Sequence, residues 1–86
     1  MPRIVITHPV EDVEKWASHK DERASFFEDY GSDVVNYLPT DGSKNIAVSV
    51  NVRDMDGLQA ALETPEAKEL EKSHGVLQPI SVFAAS

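Results

Sequence analysis

The sequence predicts a two-layer α+β domain, with a four-stranded antiparallel sheet and two helical segments on one face. Three observations predict it. Strand-like and helix-like segments follow one another in the order β-α-β-β-α-β. Residues 45–53, "NIAVSVNVR", alternate Ile46, Val48, Val50 and Val52 with small or polar residues, the period of a half-buried strand. Residues 13–30 and 54–74 instead repeat apolar residues at helical spacing and begin at capping residues.

The elements follow in order. "RIVITH", Arg3 to His8, is rich in β-branched residues and ends at Pro9, so it reads as a strand in which His8 stays extended. Helical periodicity starts after Asp12, a suitable N-cap, and runs to Tyr30, with Gly31 as its C′ residue. "SDVVNYL", Ser32 to Leu38, is the second strand, and Pro39 with Asp41-Gly42 marks the turn into the third, Asn45 to Arg53. Asp54 caps the first piece of the second helical region. Thr64 caps its second piece, with Pro65 at a position where a missing N–H costs nothing. Gly75 ends it. Val76 to Ala84 is the last strand, and Pro79 within it argues for a sheet edge or a bulge.

At 86 residues the chain has room for one hydrophobic core, so residues 1–86 form a single domain. So short a chain buries only about 60–65% of its unfolded surface. An open sheet face carrying Val and Ile would be better covered by a second copy, and a homodimer is expected. The absence of cysteine excludes disulfides, thiolate nucleophiles and iron–sulfur clusters. No Gly-rich phosphate loop is present, and the three histidines show no metal-binding spacing. No cofactor and no metal are therefore expected, unless folding gathers His8, His19 and His74. Fifteen acidic against 8 basic residues give a net charge of -7, which repels phosphate backbones and argues against nucleic acid as a partner. No apolar run has the ~20 residues of a membrane span, and the N-terminus lacks the pattern of a signal peptide. A cytoplasmic location is the default expectation.

The sharpest local feature lies in "VEKWASHKDERASFFEDY". Projected at ~100° per residue, Glu14, Ser18, Asp21, Glu22, Ser25, Glu28 and Asp29 share one arc. Val13, Trp16, Ala17, Ala24 and Phe27 form the opposite stripe. Lys20 falls near its centre, flanked by Arg23, His19, Phe26 and Tyr30. A buried unpaired cation is costly, so Lys20 and Arg23 are expected to meet a carboxylate, water or the anionic group of a ligand. The plainer alternative is a lysine that lays its stem on the sheet and reaches the rim. In the second helical region Ala67, Leu70 and His74 share a face, which aims His74 inward. His74, and His19 beside Lys20, are the candidates for acid/base chemistry, although a histidine in a last helical turn is also favoured by the helix dipole alone. Ser49 and Asn51 on the third strand, and Asn36 and Tyr37 on the second, offer polar lining, with half of each pair turned to either sheet face.

Three segments, "HPVEDVEKW", "VSVNVRDMDGLQAAL" and "TPEAKELEKSHGV", together resemble the strand–helix junctions of the dimeric α+β barrel superfamily, whose protomers are ferredoxin-like. The resemblance spans nearly the whole chain. It implies sheet-to-sheet dimers and a small-molecule pocket between sheet and helices. Lys20, Arg23, Trp16, Phe27, Tyr30 and Asn51 would then be candidate ligand-binding residues for a small anionic or aromatic organic molecule. The superfamily includes antibiotic-biosynthesis monooxygenases, haem-degrading enzymes, polyketide cyclases and stress-responsive proteins, so fold alone leaves function open. The chain lacks the histidine that polyketide cyclases place after the proline of helix two, reading Thr64-Pro65-Glu66-Ala67 there. It also lacks an Asn–Trp–His constellation and a haem-ligating histidine. The leading expectation is a pocket protein using cofactor-free acid/base chemistry. The alternatives are a non-catalytic dimeric binding or regulatory module, and an acidic interaction protein for a basic partner.

Overall fold

The structure is a computed structural model that describes residues 3–85. Its elements are β1 (Arg3–Pro9), α1 (Val13–Ser18), α2 (Lys20–Glu28), β2 (Gly31–Tyr37), β3 (Asn45–Val52), α3 (Met55–Leu62), α4 (Pro65–Ser73) and β4 (Ser81–Ala84). The strands form one antiparallel sheet in the order β2-β3-β1-β4. This is the expected ferredoxin-like α+β arrangement. No described helix is long and apolar enough to cross a membrane.

The caps act as their residue types require. Asp12 accepts from the N–H of Glu14 and Lys15, Asp54 from Gly57, and Thr64 from Ala67. Gly75, at φ +74°, takes the left-handed turn after α4. β4 is an edge strand that begins only at Ser81, after Pro79, while Val76 makes an isolated bridge to Val10. Gly31 is no helix cap: it opens β2, where a Cβ would collide with the carbonyl of Asn51.

The first helical segment, expected to be continuous, breaks at His19 (φ −96°, ψ 16°). The carbonyl of Trp16 accepts from the N–H of His19 at 3.2 Å and from Nη1 of Arg23 at 2.8 Å. Oγ of Ser18 bonds back to the carbonyl of Lys15. The last turn of α1 is therefore tightened, and α2 restarts with a changed phase. Lys20 is exposed as a result, and Arg23 is buried in the place expected of it.

One sheet face turns toward the helices. Register pairs Ile4 with Val50, Ile6 with Val48 and His8 with Ile46, and all six are buried. Two apolar clusters result. One holds Ile4, Ile6, Val48, Val50, Val52, Phe27 and Leu58; the other holds Val10, Trp16 and Ile46. The opposite face carries half-buried Val5 and Val35 and exposed Tyr37 and Phe83. It also carries a polar strip in which Arg3 donates to Asp33, Asn51 and Ser49, and Tyr37 contacts Ser49. The isoleucines expected there face the helices instead.

Candidate functional site

A cavity of about 350 Å³ lies between the sheet and the helices, lined by members of both apolar clusters, among them Ile6, Phe27, Val48 and Trp16. Ile80 and Val82 line it on the β4 side, where Val82 is exposed and the wall is open to solvent. Three buried polar groups belong to its lining, His8 from β1, Arg23 from α2 and His74 at the end of α4, while exposed Gln59, Glu63 and Lys68 and half-buried Glu71 line it from the helices.

Arg23 is 5% exposed. Its Nε donates to Oδ1 of Asn36 at 2.9 Å, and Nη1 donates to the Trp16 carbonyl at 2.8 Å and to Nδ1 of His74 at 3.2 Å. Its guanidinium carbon sits 3.7 Å from the centroid of the Trp16 ring. Burial pushes its pKa down to about 10, so the group stays cationic at neutral pH. Among the described residues, Nη2 has no hydrogen-bond partner, and neither has Nε1 of Trp16.

The arginine fixes the tautomer of His74, because a guanidinium can only donate. Nδ1 of His74 therefore accepts, the proton sits on Nε2, and Nε2 donates to Oε2 of Glu22 at 2.8 Å. Burial, then the positive charge of Arg23 and the proximity of His19, hold the imidazole below its usual pKa against the opposing pull of Glu22. The hydrogen bond from His74 in turn lowers the pKa of Glu22. His19 stacks on His74, with ring centroids 4.5 Å apart, and its Nδ1 lies 3.2 Å from the same Glu22 oxygen.

His19, Glu22 and His74 thus bring donor atoms within 4.8 Å of one another. A metal ion there would need the lone pair of His74 Nε2. The proton would have to move to Nδ1, facing the N–H of Arg23. The arrangement favours proton-bearing Nε2 and works against an ion.

His8 differs in one respect. Its Nδ1 lies 3.0 Å from the Pro9 carbonyl, which can only accept, so the proton is on Nδ1. Among the described residues Nε2 has no partner, and its lone pair is free. Burial lowers the pKa, opposed by the Pro9 bond and the charge of Glu71 and assisted by Arg23, so His8 is neutral at pH 7. Its ring meets Trp16 edge-on at 6.4 Å.

Of the residues expected at the site, Trp16, Arg23, Phe27 and His74 line the cavity. His19 lies behind His74 toward solvent, and its nearest polar partner is Glu22. Lys20 is at the surface. Tyr30 packs against Phe26 beside the first apolar cluster, outside the cavity lining. Asn51 faces the opposite side of the sheet, bonded to Arg3. Asn36, one of the strand residues expected to offer polar lining, does reach the site through Arg23, whereas His8 was considered only for a metal and Glu22 was placed on the solvent arc. The alternation of Ile4, Ile6 and His8 along β1 was the signal for His8.

No family model matches the chain, and no curated protein sequence does. Solved structures do. SnoaB, a cofactor-independent oxygenase from Streptomyces nogalater, is similar over 99% of this chain and 92% of its own, at 17% identity and a TM-score of 0.72. A candidate antibiotic biosynthesis monooxygenase from Bordetella bronchiseptica is similar over 99% and 94%, at 10% identity and a TM-score of 0.75. One from Caulobacter crescentus is similar over 98% and 86%, at 11% identity and a TM-score of 0.72. Identities this low speak to the fold alone, and the ferredoxin-like α+β fold of this chain is the one these structures share.

Proposed function

We propose that the sheet–helix cavity binds a small, mostly apolar and aromatic organic molecule carrying an accepting or anionic oxygen, with Arg23 as the group that recognises that oxygen. One observation carries this reading. Three N–H groups of Arg23 are spent on Asn36, Trp16 and His74, while Nη2 is buried without a protein partner among the described residues and Arg23 lines the cavity. Leaving a buried charged donor unmatched costs more than the roughly 1–3 kcal/mol of a neutral one, so a ligand oxygen there would be strongly held. The Trp16 and Phe27 rings supply flat apolar walls. Use without a cofactor is supported by the description of SnoaB as cofactor-independent. The expected base, His74, has both nitrogens engaged, which favours a holding role for that residue over proton transfer.

The test compares 2-naphthol, 2-naphthoate and naphthalene by calorimetric titration. Wild type should prefer the oxygen-bearing ligands over naphthalene by about 10- to 100-fold, the worth of a hydrogen bond to a charged group. In Arg23→Met the preference should vanish while naphthalene still binds, which also reports an intact cavity. A preference that survives in Arg23→Met would remove Arg23 from recognition.

The same proposal includes a homodimer paired through the open sheet faces. Half-buried Val5 and Val35 and exposed Phe83 and Tyr37 on that face support it, since a partner sheet would take them out of water. Sedimentation at micromolar concentration should give twice the monomer mass, and Phe83→Glu should shift it toward monomer. A wild-type monomer under those conditions would end the dimer reading.

A further inference from the structure

We propose that His8 is a catalytic base of this cavity, taking a proton from the carbon beside a carbonyl group of the bound molecule while Arg23 receives the enolate oxygen so formed. The inference rests on the binding reading above and adds a reaction to it.

Three facts separate His8 from every other titratable group near the cavity. Its proton is committed to the Pro9 carbonyl, so the free lone pair belongs to Nε2. It is 8% exposed, and it stands on a central strand, where the backbone is held by register pairing to Ile46. A base on a paired strand is positioned more firmly than one on a loop. It also abuts the same indole as Arg23: Trp16 lies 6.4 Å from the imidazole centroid and 3.7 Å from the guanidinium carbon. His74 has no nitrogen to spare, and His19 lies outside the lining. Glu63 and Glu71 line the cavity as carboxylates, and Glu71 lies near enough for its charge to favour protonated His8.

The step balances without an oxidant. The C–H bond breaks, and its electron pair forms the carbon–carbon double bond. The carbonyl π pair moves onto oxygen, which becomes the enolate beside Arg23. The proton goes to Nε2, giving an imidazolium whose Nδ1–H is still held by the Pro9 carbonyl. Burial keeps the resting imidazole neutral and ready to accept, and a neighbouring carboxylate, Glu71, favours the charged form once made. Return of the proton, exchanged with solvent on His8, regenerates the ketone. An enolisable ketone, or the corresponding enol, is therefore the substrate class.

Deuterium uptake by 2-tetralone in D2O, followed by proton NMR, reads this step directly. Wild type should accelerate exchange at the carbon between ring and carbonyl well above buffer. His8→Gln should lose about 10²- to 10⁴-fold of that rate, while 2-naphthol and 2-tetralone still bind. His8→Ala with added imidazole should recover part of it, which keeps the test open if glutamine is not tolerated at position 8. Exchange in His8→Gln as fast as in wild type, or tight binding of 2-tetralone by wild type without exchange above buffer, would overturn the inference and leave the binding reading standing. If wild type binds neither 2-naphthol nor 2-tetralone, both readings fall together.

Discussion

Trp16→Ala should lower the stability of the fold by about 3–5 kcal/mol, the usual cost of emptying a buried tryptophan site. Trp16 is 0% exposed and forms the second apolar cluster with Val10 and Ile46. It also carries the guanidinium of Arg23 on its face, a cation–π contact worth ~2 kcal/mol or more once desolvated. Domains of this size hold only about 5–15 kcal/mol in total, so the variant should be close to unfolding at ambient temperature. Urea titration followed by circular dichroism would show it, because Trp16 is the chain's single tryptophan and its fluorescence disappears with it. Trp16→Phe should cost much less. It keeps an aromatic wall and removes an indole N–H that has no partner among the described residues. A loss below about 1 kcal/mol in Trp16→Ala would mean that the second cluster is not a true core.

That cluster shows where sequence reasoning succeeds and where it stops. Strand periods and caps are local properties, and Asp12, Asp54, Thr64 and the alternation in β3 could be read from neighbours alone. The break at His19 depends on Arg23 reaching back over seven residues to the Trp16 carbonyl, and on the sheet that holds Arg23 in place through Asn36. No helical projection contains that contact. Lys20 was therefore expected inside, and the true inner cation is Arg23. Ser49 is a second case. Its strand parity puts it on the face away from the helices, yet it is 0% exposed because Arg3 and Tyr37 cover it. Glu22 sits on the polar arc, as its periodicity says, and its side chain still reaches His74 across 52 residues of sequence. The alternation of Ile4, Ile6 and His8 put the three on one face, but which face turns to the helices was set by the packing of α2 and α4 and could not be read from the strand alone. Nor was it legible which polar residue keeps a free lone pair, because that follows from the Pro9 carbonyl and from the packing of Arg23 against His74.

His74→Leu should be the second most damaging change, and His74→Gln should rescue most of the loss. Leucine fills the space, yet leaves the Nη1 donor of Arg23 short of an acceptor and Glu22 without its donor. A buried charged donor deprived of its partner costs at least about 1–3 kcal/mol. Glutamine offers both functions, an oxygen toward Arg23 and an amide N–H toward Glu22. Acid should act through the same contact. In the folded chain the pKa values of His74 and His8 lie below those of an unfolded histidine. The unfolded chain therefore binds more protons in the interval between the two, and stability rises with pH there. The contribution is fully present above the unfolded value of about 6.5 and is lost as pH falls from there through the folded values. The slope is at most about 1.4 kcal/mol per pH unit for each histidine. The carboxylate of Glu22, also lowered, loses its share only in a more acidic window. Denaturant titrations at successive pH values below 6.5 should thus show a steep fall in wild type and a shallower one in His74→Gln, which lacks one of the two titrating groups. Protonation of His74 places a proton on Nδ1 opposite the N–H groups of Arg23, so the lost stability and the loosened guanidinium are one event. Equal slopes in wild type and His74→Gln, or equal stability of the Gln and Leu variants at neutral pH, would show that His74 does not hold Arg23.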